Sequence, residues 1–357
     1  MKIGKLELDV SLEKLIVVLL VAAIILECIY LLNKQIEASA GPEVRIDNNI
    51  DDVNGSFAAN NVSAPLIEFP KDEGMHNNVR EEWWYFNGHV YDKAGNNYGI
   101  FICFFKSGNL YFGIADEDND KFYGGIYQGA LIASSEKFDV STGKNTWTTT
   151  GKTSYRMHTE VGDSYMDLDM VSEKPPLLVG GEGLIRMGNG GTSYYYSQTR
   201  LKVNGRLNIG NGEKTVNGIG WIDKQWGNWN ETGYGGWEWF SIQLTNGEEL
   251  QVFDIFDPLT GEKINKMVNI VHKDGKTEVL TSHTVEYLDY WTDPSTGKKF
   301  SHKWKILIPE KDMELIVTPT VDNQLITPNL WEGSCKVEGR IGTEVVSGWA
   351  YTELNRK

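Results

Sequence analysis

Apolar residues after residue 41 occur in short runs that are separated by turn signals. The runs have strand length, and no segment beyond residue 41 keeps a helical period for three turns. Asn204-Gly205 and Asp274-Gly275 stand between runs and supply the positive φ angles that two-residue hairpin turns need. The pattern predicts an antiparallel all-β protein, with strand-like runs at 83–90, 98–105, 126–133, 165–171, 194–203, 237–244, 250–256, 304–308 and 315–318.

The N-terminal segment has a different pattern, a nearly continuous apolar run over residues 15–32. Its length is close to the minimum at which a helix spans a bilayer, so the run predicts a transmembrane helix. More lysines precede the run than follow it, and the positive-inside rule then keeps residues 1–14 in the cytoplasm and exports the rest. Residues 33–64 are expected to form a flexible tether, because most of them are polar and residues 41–64 have no apolar period.

The apolar run has a second interpretation, because Ala38-Ser39-Ala40 resembles a signal-peptidase site. Cleavage there would give a secreted protein. The run is longer than a usual signal core, and Ala40 lies several residues beyond it. We therefore expect a retained membrane anchor with the C-terminal domains outside the cytoplasm, and a secreted protein as the alternative.

Two recurring hairpin patterns predict a pair of similar β modules. A hairpin with Gly at its bend, closing on a Gly and a Trp, occurs at 202–221 and again at 336–349. An aromatic strand that turns at a Gly into a second apolar strand occurs at 83–101 and again at 237–253. We place the modules at residues 65–200 and 201–357.

Composition and charge exclude several classes of function. The 34 Lys and Arg residues against 49 Asp and Glu give a net charge of −15, which argues against nucleic-acid binding. Three cysteines cannot form a disulfide framework or a thiolate zinc site, and the six histidines lack metal-ligand spacing, so we expect no metal site. The 12 Trp, 16 Tyr and 38 Gly fit twisted sheets with tight turns.

Long aromatic motifs extend along the exported part of the chain. The central one, at residues 218–227, reads Gly-Ile-Gly-Trp-Ile-Asp-Lys-Gln-Trp-Gly. Further motifs lie at 70–72, His76, 82–90, 195–200, 237–244, 331–333 and 348–354. Together they resemble the lipocalin-like hydratase superfamily, which includes the carotenoid 1,2-hydratases (hydroxyneurosporene synthases), the AttH-like secreted proteins and some fungal pericyclases.

This resemblance implies two lipocalin-like (calycin) antiparallel β-barrels side by side. It also exposes two departures from the hydratase pattern. A His follows the Asp of the Trp-x-Asp motif in that pattern, whereas this chain has Lys224 after Asp223. A Tyr-x-Asp pair follows later in the pattern, and here Val252 replaces the Tyr while Asp254 retains the acid.

Acid-catalysed hydration of an alkene gives the aromatic motifs a chemical interpretation. A carboxyl group buried among aromatic rings keeps its proton near neutral pH, and indole faces stabilise a carbocation, so no cofactor is required. The predicted catalytic residues are Asp223, Asp254 and Glu82. The predicted substrate-binding residues are Trp221, Trp226, Trp237, Trp84, Tyr85 and Tyr196.

Three functions are compatible with these features. The first is a membrane-anchored barrel that binds a hydrophobic molecule, such as an isoprenoid or a lipid, without chemistry. The second is a cofactor-free hydratase or hydrolase acting on such a molecule. The third is a non-catalytic envelope module that uses a Trp-rich face to bind another protein. Both of the first two predict an interior cavity lined by Trp and by Asp223 or Asp254.

Overall fold

The structure of the chain, a computed structural model, describes residues 66–356. The transmembrane helix expected at 15–32 and the tether expected at 33–64 lie outside the described residues. Within residues 66–356, no helix has the length and apolar character that a membrane span requires. The described part confirms the all-β prediction, because its helices are three short 3-10 turns, at Lys71–Glu73, Glu231–Gly233 and Pro309–Lys311.

Residues 81–229 form an antiparallel sheet of thirteen strands. The strands are β1 (Glu81–Asp92), β2 (Asn97–Phe105), β3 (Asn109–Asp116), β4 (Lys121–Gln128), β5 (Leu131–Ala133), β6 (Asp139–Thr142), β7 (Asn145–Thr149), β8 (Ser154–Val161), β9 (Ser164–Ser172), β10 (Leu177–Leu178), β11 (Leu184–Arg186), β12 (Gly191–Ile209) and β13 (Lys214–Trp229). Their order is β4-β3-β2-β1-β13-β12-β9-β8-β7-β6-β5, and β10 and β11 also pair with β12.

Residues 236–356 form a second antiparallel sheet, of ten strands. These are β14 (Gly236–Leu244), β15 (Glu249–Phe256), β16 (Lys263–Val271), β17 (Thr277–Leu280), β18 (Thr284–Thr292), β19 (Lys299–Ile308), β20 (Met313–Pro319), β21 (Leu325–Thr327), β22 (Leu330–Ile341) and β23 (Glu344–Arg356). The order is β17-β16-β15-β14-β23-β22-β20-β19-β18, and β21 pairs with β22.

The two sheets share one topology, which fits two lipocalin-like modules. In each sheet the first strand pairs both with its hairpin partner and with the last strand: β1 with β2 and β13, and β14 with β15 and β23. The repeated hairpin patterns in the sequence correspond to these pairs and to the closing hairpins β12–β13 and β22–β23. Position 200/201, where we placed the module boundary, falls inside β12, and the chain passes from the first sheet to the second between Trp229 and Gly236.

Each sheet curls into a half-barrel. In the first, Val161 of β8 packs over Gly125 of β4 so closely that a Cβ added at Gly125 would lie 2.6 Å from a Val161 methyl carbon. In the second, the Tyr287 hydroxyl of β18 donates a hydrogen bond to Oε2 of Glu238 on β14, at 2.8 Å. Strands far apart in the sheet order therefore meet across the inside of each curl.

Three large apolar clusters follow from the alternation of side chains along the strands. On β1, Trp84 and Phe86 face the core of the first curl. The intervening Tyr85 faces a third cluster, which also contains Trp239 of β14 and Tyr351 of β23. The second sheet has its own core, with Phe240 among its members. The third cluster joins the two sheets, so the interface between them has an apolar core of its own.

A buried ionic contact also joins the sheets. Glu249 of β15 is fully buried, and its carboxylate accepts hydrogen bonds from Arg200 of β12 and from Nζ of Lys174, the latter at 2.6 Å. Both cations belong to the first module and the anion to the second. Since each charge is desolvated, the contact holds the modules in one relative position only while all three groups are present.

Glu249→Gln is expected to lower the free energy of unfolding by about 3 kcal/mol, because two largely buried cations would lose their countercharge. Chemical denaturation of both proteins measures the difference. Glu248→Gln, on the neighbouring and more exposed side chain that pairs with His272, serves as the control and should change the free energy by less than about 1 kcal/mol. Equal losses in the two variants would contradict the assignment.

Candidate active site

Asp223 lies between the two sheets and is only 3% exposed. Three groups donate hydrogen bonds to its carboxylate: the Tyr195 hydroxyl, the Ser197 hydroxyl at 2.5 Å and Nε1 of Trp221 at 2.6 Å. Burial raises the pKa of Asp223 to about 7, although these three donors oppose the rise. Asp223 therefore exchanges a proton near neutral pH. Its ionised form is stabilised by the three hydrogen-bond donors.

A chain of hydrogen bonds through Asn269 and Gln251 of the second sheet fixes the direction in which Tyr195 donates its proton. The backbone N–H of Gly180 donates to Oδ1 of Asn269 at 2.8 Å, and Nδ2 of Asn269 donates to Oε1 of Gln251 at 2.9 Å. Nε2 of Gln251 then donates to the Tyr195 oxygen at 2.8 Å. Since a phenol has one proton, Tyr195 accepts from Gln251 and donates to Asp223.

Two further carboxyl groups face the same interface from the second module. Glu332 of β22 and Glu353 of β23 are direct cross-strand neighbours, and the Tyr85 hydroxyl donates to Oε2 of Glu332 at 3.1 Å. Desolvation raises the pKa of Glu353 to about 8; the charge of Asp223 adds to the rise and a hydrogen bond from Trp237 opposes it. Desolvation also raises the pKa of Glu332 well above its usual range, with Glu353 the next cause.

An aromatic cavity of about 500 Å³ lies between the sheets beside these acids. Its lining includes Glu332 and Glu353 together with Trp83, Tyr85, Phe105, Tyr111, Trp229 and Trp237. A narrow crevice of about 20 Å³ shares Trp83, Tyr85, Trp237 and Glu353 with the cavity, and its lining adds Asp223 and Trp239. A ligand in the cavity would thus contact several aromatic rings. At one end it would have Glu353 and, across the crevice, Asp223.

Comparison with known proteins places this arrangement in a family. A model of the AttH-like family matches residues 61–356. The chain belongs to the AttH-like family. No curated protein matches the chain in sequence.

Solved structures share the fold of this AttH-like chain. A protein from Nitrosomonas europaea described as AttH has a TM-score of 0.73 and 25% identity, over 82% of this chain and 99% of its own. Kievitone hydratase from Nectria haematococca has a TM-score of 0.70 and 17% identity, over 83% of this chain and 95% of its own. CghA with Sch210972 has a TM-score of 0.53 and 12% identity, over 77% of this chain and 88% of its own. The resemblance to the lipocalin-like hydratase superfamily is confirmed.

In the AttH-like protein, two of the predicted catalytic acids lie elsewhere. Glu82 of β1 forms an ion pair with Nζ of Lys224, 2.5 Å away, and accepts a hydrogen bond from Nδ1 of His76 at 2.8 Å. Burial would raise the pKa of Glu82, but His76 and Lys224 together bring it below its usual range. Glu82 therefore stays ionised and balances a buried lysine, on the opposite side of the first sheet from Asp223.

Asp254 of β15 is fully buried on the inner side of the second sheet. It accepts hydrogen bonds from Nζ of Lys263 at 2.6 Å and from Nε2 of His283 at 2.8 Å. Burial would raise the pKa of Asp254, but these two partners bring it below its usual range. None of the three predicted acids lines the inter-sheet cavity, and only Asp223 lines the adjoining crevice.

The predicted substrate-binding residues divide in the same way. Tyr85 and Trp237 line the cavity, and the fully buried Trp221 supports Asp223 through its hydrogen bond. The other three pack in the first module: the ring centroid of Trp84 lies 3.9 Å from Nζ of Lys224, Trp226 stacks on His76, and Tyr196 packs against Trp226.

Sequence reasoning missed Glu332, Glu353 and Tyr195, although all three belong to the aromatic motifs. A signal was present in the closing motif. Glu353 stands two residues after Tyr351, as Asp223 stands two residues after Trp221, and residues two apart on a strand share a face. Tyr195 also lies in an aromatic motif, but its contact with Asp223 depends on the register of β12 and β13.

Stability is expected to depend on pH through Glu353. The pKa of Glu353 is raised in the folded chain, so the folded state holds this proton more tightly than the unfolded state. The contribution of Glu353 to the free energy of unfolding is therefore complete below the ordinary glutamate pKa and is lost as pH rises toward about 8. Glu353→Gln removes this ionisation, and the melting temperature of the variant relative to the unmodified protein should rise between pH 5 and pH 8. The exposed control Glu286→Gln should give a constant difference. A difference in melting temperature between Glu353→Gln and the unmodified protein that stays constant with pH would rule out the raised pKa.

Proposed function

We propose that the protein binds a hydrophobic small molecule between its two sheets and adds water to a carbon–carbon double bond of that molecule. One observation carries the proposal: Asp223 and Glu353, with pKa values raised to about 7 and about 8, line the same aromatic crevice. Two acids whose proton affinities lie near neutral pH can divide the roles of proton donor and proton acceptor.

Glu353 is the proposed proton donor. Near neutral pH it carries its proton, which it transfers to one alkene carbon while the π electron pair forms the new C–H bond. The other alkene carbon becomes a carbocation. Trp83, Tyr85 and Trp237 surround the crevice, and each ring face stabilises a cation by about 0.5–2 kcal/mol.

Asp223 is the proposed base. Its carboxylate, held by Tyr195, Ser197 and Trp221, takes a proton from a water molecule as the water oxygen bonds to the carbocation. The product is the alcohol, Glu353 is left ionised and Asp223 protonated. Transfer of one proton from Asp223 to Glu353 through water restores the starting state. These steps require no cofactor.

The cavity favours an isoprenoid or a similar lipid as the substrate. Its volume of about 500 Å³ lies within the range of small-molecule pockets, and seven of its sixteen lining residues are aromatic. An alkene carbon that bears two alkyl groups gives the most stable cation, and isoprenoids supply such carbons. The relative named kievitone hydratase supports this reaction class.

Burial of the tryptophans argues against an envelope module that binds through a Trp-rich face. All twelve tryptophans lie within residues 66–356; eight are buried, and the other four are only partly exposed. Trp83 and Trp237, two of these four, line the inter-sheet cavity, which leaves Trp291 and Trp349 for a contiguous apolar patch that would bind a protein partner.

We also propose that the protein works outside the cytoplasm, anchored by residues 15–32, because lysines are concentrated before that apolar run. A protease added to intact cells should digest the C-terminal domains, and the full-length chain should sediment with membranes. A chain that is protected in intact cells would contradict the proposed orientation.

Asp223→Asn and Glu353→Gln are each expected to lower turnover by about 10²–10⁴-fold while binding is retained, because each removes one proton-transfer group and keeps the side-chain shape.

Native mass spectrometry of the protein purified from its own membrane would identify a bound lipid. Incubation with isoprenoids bearing a trisubstituted double bond, in water labelled with oxygen-18, would then report hydration. The rate should be highest between about pH 7 and pH 8, where Asp223 is ionised and Glu353 protonated.

Matched controls are Asp163→Asn and Glu286→Gln, whose side chains are exposed and far from the cavity lining. Both should leave turnover unchanged. A bound lipid without incorporation of labelled oxygen would support a carrier instead of an enzyme. Full turnover in Glu353→Gln would remove Glu353 as the donor.

A further inference from the structure

A second cavity lies farther along the sheet interface and has two buried polar side chains in its lining. It has a volume of about 150 Å³ and is lined by His89, Tyr98 and Glu117 of the first module and Trp349 of the second. His89 stands four residues beyond Tyr85 on β1, so this cavity is about 13 Å from the first. The side chains of His89 and Glu117 are only 7% and 4% exposed.

Hydrogen-bond directions in this pocket are fixed by Ser334 of β22. Its hydroxyl donates to Oε1 of Glu117 at 2.5 Å and lies 3.3 Å from Nδ1 of His89. A serine has one proton, so toward His89 the oxygen accepts, and Nδ1 carries the imidazole proton. In the neutral tautomer that carries this proton, Nε2 is an acceptor.

Two acceptors are left without a donor. Nε2 of His89 and Oε2 of Glu117 are buried, and neither has a hydrogen-bond partner within residues 66–356. Buried polar groups in folded proteins are almost always paired. A ligand of this pocket must therefore present at least two N–H or O–H donors.

The charges around the pocket favour a cation. Asp92, Asp116 and Asp118 lie near its wall, where burial and these three carboxylates raise the pKa of Tyr98. Among the described residues, no Lys or Arg comes within 4 Å of the carboxylate of Glu117 or of these three acids. Nζ of Lys336 lies 5.7 Å from the ring centroid of Trp349, but the four acids outnumber it, so a positive ligand would enter an electronegative site.

We propose that this pocket binds the primary ammonium group of a small amine. Its N–H groups donate to Nε2 of His89 and Oε2 of Glu117, and its charge is balanced by Glu117 and the neighbouring acids. A metal ion fits less well, because no group of three His, Cys, Asp or Glu in the described part of the chain could hold one. The volume excludes a drug-sized molecule.

Titration of the full-length protein with ethylammonium chloride tests the proposal, with tetramethylammonium chloride as the matched cation that lacks N–H donors. Nitrogen-15 NMR of the His89 ring should show a saturable shift of Nε2 with ethylammonium and none with tetramethylammonium. Acetamide, which has N–H donors and no charge, should bind about tenfold more weakly or worse. Equal shifts with all three probes, or no saturable shift of His89 in the folded protein, would overturn the proposal.

A charge-neutralising variant localises the effect. Glu117→Gln should weaken ethylammonium binding by about tenfold or more, whereas Asp163→Asn, on an exposed residue that does not line the pocket, should change it by about twofold at most. Unmodified affinity in a folded Glu117→Gln protein would contradict the assignment. A crystal grown with ethylammonium that shows only water between His89 and Glu117 would do the same, independently of whether any variant folds.

Discussion

The desolvation of carboxyl groups between two apolar sheets is the constraint on which the rest of the structure depends. A buried carboxylate must be neutralised by a cation or keep its proton. Glu82 and Asp254 have cationic partners, Lys224 and Lys263, and their pKa values fall below the usual range. Asp223 has only neutral donors, and its pKa rises to about 7. Among these three acids, the kind of partner, more than the depth of burial, separates the two that stay ionised from the one that can exchange a proton.

Neither module contains this site alone. The first module supplies Asp223 and its immediate donors, and the second supplies Glu332, Glu353 and the amide of Gln251 that orients Tyr195. Glu249, Arg200 and Lys174 hold the modules together through a contact that is as desolvated as the site. Duplication of one half-barrel thus creates an interface site that a single half-barrel lacks.

The sequence was sufficient to predict the fold class, because strand periodicity and hairpin turns are local properties. It also predicted Asp223, whose flanking tryptophans are neighbours in the chain and which the structure places in the crevice between the sheets. Glu82 and Asp254 were selected on similar local grounds, but their assignment was incomplete without His283 and Lys263, which strand register brings to Asp254. Alternation tells which residues share a face, but the identity of the groups opposite that face depends on tertiary packing.

Lys224 shows how one strand serves two purposes. It follows Asp223 directly on β13, and because successive strand residues point to opposite faces, its side chain enters the first module while Asp223 faces the second. There it pairs with Glu82 over the ring of Trp84, and burial lowers its pKa to about 8 although Glu82 opposes the fall. Lys224 therefore cannot reach the crevice that Asp223 lines. The departure from the hydratase pattern at this position therefore lies inside the first half-barrel and not among the acids between the sheets.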